Sequence, residues 1–270
     1  MKTFWGDYNS WEEAEKAWDA GAEKAAISSP LSTIKPATSR VGIASATAKN
    51  LKSKPLWYML SHDADGILRK NLLKHPLRHS WQFIKSLFRK KAFERKDNFF
   101  LYNIKDLEEF EKLLDADDTI LLLGFSYCQK PLECPAGRFN DKCFHDPENP
   151  KCRQCFIGKA YNALPEDNVT PLVITTAHYI GNKVFELIEN NPDKKVVFIM
   201  TSCELALTMF GDWGNMVGIK GVGIKIFGNI CNTFKAFELA ENGVKPMPTT
   251  INASAEKQIM SWIQLRASRP

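Results

Sequence analysis

The chain has 270 residues, 44% of them hydrophobic and 25% charged, which suits one large domain or a compact domain with an appendage and excludes a disordered or fibrous polymer. The strongest apolar run, Thr119 to Phe125, is too short to cross a bilayer, and Met1-Lys2-Thr3-Phe4-Trp5 lacks the apolar core of a signal peptide. The net charge of +5 is an uneven average, because residues 69–96 hold ten Lys/Arg against Glu94 alone and leave the remainder at −4. The expectation is a soluble, cytoplasmic protein whose contact with anionic partners is confined to one arm.

Ser10-Trp11-Glu12-Glu13 has the form of a capping box, and Trp11, Ala14 and Trp18 follow at helical spacing, so a short helix is expected to end near Gly21 or a few residues beyond. Residues 28–55 are rich in Ser, Thr, Ala, Pro and Lys without a period and read as a linker. In the basic arm, Trp81, Ile84, Leu87 and Phe88 recur on one face of a helix, with Lys85, Arg89, Lys90 and Lys91 largely off it. This amphipathic pattern suits a helix packed on the body with a solvated charged face. It also suits peripheral docking of residues 69–96 on an anionic membrane surface. Nucleic acid is the less favoured partner.

Past Asp106 the pattern changes. A helix with Leu107, Phe110 and Leu114 leads to four apolar runs, at residues 119–125, 171–176, 195–201 and 222–227. Helical stretches at 178–189, 203–210 and 233–241 lie between and after them, and residues 253–265 read as a last helix. Continuous Val/Ile/Leu strands alternating with helices predict an α/β fold: a Rossmann-like parallel sheet of about four strands with helices on both faces. The expected organisation is a mainly helical N-terminal extension over 1–105 and a cysteine-rich α/β domain over 106–270.

Seven cysteines are placed on this scheme at telling points. Five lie in the stretch Cys128-x5-Cys134-Pro-x7-Cys143-x8-Cys152-x2-Cys155, and Cys203 and Cys231 each sit just past a predicted strand. Thiols in a reducing compartment point to metal or iron–sulfur ligation before disulfides. The strands of an open parallel sheet end along one edge, where α/β proteins bind ligands, so residues a hundred positions apart are brought to one rim. Two arrangements fit. In one, Cys128, Cys134, Cys152 and Cys155 form a four-thiolate site in the long loop, and Cys203 and Cys231 are free thiols at helix N-termini. In the other, Cys203 or Cys231 joins loop cysteines around an iron–sulfur cluster of the 4Fe–4S kind. His178, at a helix start on the same rim, is a candidate ligand or acid–base group beside its ordinary capping role. Cys143 and His145 lie in a polar insert and are weaker candidates. Glu204 suits the first turn of its helix.

Several familiar signals are missing. The glycines from Gly211 to Gly228 precede a strand and cannot form a dinucleotide fingerprint, and neither a phosphate loop nor a Gly-x-Ser-x-Gly elbow occurs. His75 and His79 are divided by Pro76, which spoils a helical metal-binding face.

The segment 119–243 resembles the prokaryotic family known as domain of unknown function 116. The resemblance is carried by Leu121-Leu122-Leu123-Gly124 before Cys128, then Cys134-Pro135-Ala136, Cys152-Arg153-Gln154-Cys155, Ser202-Cys203-Glu204 and Cys231-Asn232-Thr233. The segment between Ala136 and Cys152 is longer than the family pattern and brings in Cys143. The resemblance implies a cysteine-ligated metal, an iron–sulfur cluster before zinc, and leaves the reaction unnamed. The leading expectation is an iron–sulfur protein acting on a small molecule or a redox partner. The alternative is a structural-zinc module docking to a membrane or protein partner through its basic arm.

Overall fold

The computed structural model describes residues 4–32, 42–49, 51, 54–63, 66–88, 92–245 and 247–268. A 3-10 turn at Phe4–Asp7 precedes α1 (Trp11–Ser28), followed by α2 (Ser45–Ala48), α3 (Lys54–Ser61), α4 (Ile67–Lys74) and α5 (Pro76–Phe88). Then come β1 (Glu94–Lys96), β2 (Phe99–Tyr102), α6 (Leu107–Leu114) and β3 (Thr119–Ser126), a 3-10 turn at Tyr127–Gln129, and α7 (Pro150–Arg153) and α8 (Phe156–Ala163). The chain closes with β4 (Val169–Ile174), α9 (Ala177–Asn190), β5 (Lys195–Ser202), α10 (Glu204–Val217), β6 (Lys220–Lys225), β7 (Phe227–Gly228), α11 (Phe234–Glu241), β8 (Thr249–Thr250) and α12 (Ala253–Ala267).

The predicted parallel sheet is present, with β6, β5, β3 and β4 side by side and parallel. Two further strands extend it: β2 pairs antiparallel with β6 and β1 with β2. β1 closes the basic arm and β2 follows it, so the sheet draws a strand pair from the N-terminal side of residue 106. The β4 and β6 strands are as long as their apolar runs but begin and end two residues earlier. Phe227 leaves the main sheet to pair, in β7, with Thr250 of β8.

Helix starts follow their caps. Ser10 Oγ accepts from Glu13 N (3.1 Å), Asp106 Oδ1 from Glu109 N (2.8 Å) and Thr176 Oγ1 from Tyr179 N (3.0 Å). α1 does not stop near Gly21 but runs to Ser28. A Cβ at position 21 would stand 2.5 Å from the Arg153 guanidinium, which lies against α1 and donates to Ala17 O (2.9 Å) and Trp18 O (3.3 Å). Gly21 thus serves a close approach, not a helix end.

Both sheet faces are covered. α9 and α10 bury Ile180, Val184 and Leu207 against Leu122 and Phe198, while α8 and α12 bury Ile157, Ile259 and Trp262 against Leu121 and Leu123. Each fully buried side chain of this kind contributes about 1.5–3 kcal/mol. α5 packs on α10 through Phe83 and Trp213 (ring centroids 5.8 Å apart) and through Ser86, whose hydroxyl donates to Asp212 Oδ1 (2.7 Å). Arg89, Lys90 and Lys91 of the arm, and the Leu87 side chain, lie outside the described residues. No described helix is long and apolar enough to cross a membrane.

Candidate functional site

The order of strand addition reverses between the parallel neighbours β3 and β5: the path from β3 goes to β4 on one side, while β5 leads to β6 on the other. Such a switch point opens a crevice at the strand C-termini. Cys128 follows β3 in the 3-10 turn, and Cys203 follows β5 as the N-cap of α10. Cys231 comes from beyond β7, and all three are buried. Ser126 N donates to Thr201 Oγ1 (3.2 Å), and Thr201 is hydrogen-bonded to Gln129, so the two strand ends are tied together at the crevice.

These three thiols sense one another. The Cys203 thiol is pushed well up by its hydrogen bond with Cys231, then by burial, with Ala206 N–H at the helix start acting the other way. Burial raises Cys128, and the Lys245 ammonium and Ser126 hydroxyl counter it. Lys245 is itself buried, and its Nζ donates to Cys231 Sγ (3.3 Å). Arg138 holds the rim from the loop side, donating to Lys245 O (2.5 Å) and Met247 O (3.2 Å).

The loop after β3 gathers a second set: Cys134, Cys143, Cys152 and Cys155. Burial pushes the Cys143 thiol up to about 12, with Cys155, Cys152 and Cys134 adding to it. Burial likewise takes Cys155 up to about 11, with Cys134 and Cys152 contributing, and raises Cys152 with Cys134 beside it. Backbone N–H groups aim at these sulfurs: His145 at Cys143, Asp146 at Cys152, and Ile157 and Gly158 at Cys155. His145 reaches this position with φ 37°, in the left-handed region. Lys130 lies buried within the loop, its Nζ donating to Gly137 O (2.7 Å), Lys142 O (2.8 Å) and both oxygens of Asn140, in the neighbourhood of Cys134, Cys143 and Cys155.

An apolar cavity opens beside the rim thiols, walled by α3, α9 and α10. Glu241, at the end of α11, lines it as a half-buried carboxyl. Glu241 Oε2 accepts from Ala177 N (2.8 Å) and from Tyr58 Oη (3.3 Å), yet burial still pushes the carboxyl up to about 7. Burial also raises the Tyr58 phenol, followed by the charge of Glu241.

The expected residues are thus sorted in an unexpected way. Cys134, Cys152 and Cys155 share the loop as expected, but Cys128 stands with Cys203 and Cys231, and Cys143 takes its place in the loop set. The reason is the turn at Tyr127–Gln129, which keeps Cys128 at the end of its strand while the chain leads on to Cys134. His178 does not line the cavity; its Nε2 is bonded to Met59 O (2.7 Å), which fixes α3 to the start of α9. Glu204 is spent on ion pairs with Arg95 (2.7 Å) and Lys225 (2.8 Å). Sequence reasoning missed Glu241, Tyr58, Lys245 and Lys130, none of which stands in a motif.

Among the described residues, no three His, Cys, Asp or Glu side chains close round a common point as ligands of a metal ion would. What the loop does bring into one neighbourhood is soft donor chemistry, with the Lys130 ammonium beside Cys134, Cys143 and Cys155. No family model matches the chain, and no curated protein or solved structure matches it either.

Proposed function

We propose that the protein is a cysteine-ligated metalloprotein with a redox or small-molecule enzymatic role at the C-terminal edge of its parallel sheet. Cys134, Cys143, Cys152 and Cys155 would hold an iron–sulfur cluster, and Cys128, Cys203 and Cys231 form the thiol-bearing rim of the substrate cavity. The observation that carries this reading is the buried Lys130 ammonium, held by oxygens of Gly137, Asn140 and Lys142 in the neighbourhood of Cys134, Cys143 and Cys155. A fixed cation there offsets the charge of thiolates, the form that binds metal. An iron–sulfur cluster supplies one-electron transfer when bound. The chain's own contribution is at the rim, where the Glu241 carboxyl holds a proton close to neutrality while its Oε2 accepts from Tyr58, and Lys245 sets its ammonium against Cys231 Sγ.

Anaerobic purification followed by iron, sulfide and zinc analysis and a visible spectrum tests the reading. Brown protein that loses iron on Cys134→Ser or Cys143→Ser, and keeps it on Cys203→Ser or Cys231→Ser, is the expected result. Colourless protein with stoichiometric zinc assigns a closed structural site instead. That second reading, a zinc-folded module docking through its basic arm, is favoured by the apolar residues that α5 leaves exposed.

A further inference from the structure

The cavity is long and has chemistry at one end only. The face that α10 turns to it recurs every three or four residues, through Cys203, Ala206, Phe210, Trp213 and Val217. At 1.5 Å per residue, this wall runs about 21 Å, longer than the roughly 15 Å of one bilayer leaflet's hydrocarbon. Opposite it lie Ile180, Gly181 and Val184 of α9, with Met59 of α3. The thiols, Glu241 and Lys245 cluster at the rim, while the far end is walled by Trp213, Met216 and Val217. A polar end joined to an apolar wall of this length matches a molecule with a reactive or charged head and one long apolar chain.

The far end of the channel abuts the basic arm. Trp213 lines the cavity and packs on Phe83 of α5. The opposite face of α5 is apolar and uncovered: Leu77, Trp81 and Phe88 are 87%, 69% and 87% exposed, with Ile84 between them and Leu73 continuing the stripe on α4. Arg69, Lys70, Lys74, Arg78 and Lys85 on these two helices are exposed. Large apolar side chains flanked by cations are the composition of a helix lying in an anionic lipid interface, and the arm's excess of nine positive charges stands against a body of −4.

We infer that the cavity holds the long apolar chain of an amphiphile taken from an anionic bilayer on which α4 and α5 dock, with its polar end at the rim thiols. This rests on the proposed assignment of the rim as the reactive site. The probe is hexadecanoic acid carrying a pyrene label, embedded in vesicles of phosphatidylcholine with phosphatidylglycerol. The full-length protein sediments with these vesicles, is released by rising salt and ignores pure phosphatidylcholine. Protein recovered from the vesicles retains one labelled acid per chain.

A side chain at Gly181 grows into the channel, where a Cβ meets only Met59 Cε at 3.6 Å, so Gly181→Leu lowers retention at least about tenfold without changing sedimentation. Ala206→Leu serves the same purpose from the other wall should Gly181→Leu fail to fold. The double variant W81E/F88E loses sedimentation but retains labelled acid offered in solution. Folded channel variants that retain as much acid as the parent, or a parent that ignores phosphatidylglycerol vesicles, overturn the inference. Iron measured on the same preparations separates the two proposals. Retention by iron-free protein fails the metal reading alone, and iron-loaded protein without retention fails this one alone.

Discussion

Replacing Glu241 by glutamine tests the half-buried carboxyl at the rim directly. Gln keeps an acceptor for Ala177 N and Tyr58 Oη and removes the titration. The native protein holds the Glu241 proton up to about 7, while the unfolded chain releases it near the ordinary 4.5. Between those values the native state binds more protons than the unfolded one, so stability falls as pH rises through this window. Taking about 1.4 kcal/mol for each pH unit of the window, the full effect is about 3.5 kcal/mol. Urea unfolding at about pH 5 and about pH 8 reads it. The Gln variant gains about 2.5 kcal/mol on the parent between the two conditions, because pH 5 already lies inside the window. A difference between the two proteins that does not change with pH refutes a protonated, desolvated Glu241, and with it the acid–base role at the rim.

Lys130→Met strands the Gly137, Asn140 and Lys142 carbonyls that its ammonium satisfies. At about 1–3 kcal/mol for each, chemical unfolding reports a loss of at least about 3 kcal/mol, and metal content falls with it. Gly21→Val drives the Arg153 guanidinium off the Phe4 and Trp18 rings, where it sits 4.2 and 4.5 Å from the centroids. The lost cation–π contacts and carbonyl bonds lower stability by about 2 kcal/mol, seen as a reduced thermal midpoint, and an unchanged midpoint would show that Arg153 finds equal partners elsewhere. Cys143→Ser lowers metal content as far as Cys134→Ser does, whereas Cys128→Ser leaves it intact. Equal losses from Cys128→Ser and Cys143→Ser would join the two thiol sets into one site.

The parallel strands were legible because each is a continuous apolar run bounded by helical periodicity, as in Thr119–Ser126, where every residue is buried. The order of those strands was not. The crevice exists because β5 pairs with β3 on the side away from β4, a choice no local pattern records. The β1–β2 hairpin escaped because Glu94-Arg95-Lys96 is an exposed edge strand whose charges blend into the basic arm. The same edge placement explains why lysine and arginine are tolerated there. Cys128 was grouped with the loop because it lies near Cys134 in the chain, and the 3-10 turn that separates them is only three residues long. Glu241 and Lys245 flank Gly243, which reads as a helix stop. Their inward placement depends on α11 turning back over the rim, a tertiary event.

The two thiol sets are electrically as well as spatially distinct. A buried ammonium accompanies each: Lys130 beside Cys134, Cys143 and Cys155, and Lys245 beside Cys231 and Cys128. A buried cation is costly unless anions or several acceptors face it. Lys130 meets that need through carbonyls and remains to offset thiolate charge in the loop. Lys245 has its one hydrogen-bond acceptor in Cys231 Sγ among the contacts described, so its charge favours a thiolate at the rim itself. The loop lysine is thus held by oxygens, and the rim lysine by a sulfur. Arg138, which bonds carbonyls of Cys128, Lys130 and Lys245, spans both lysines through the backbone. One guanidinium therefore fixes the loop against the rim.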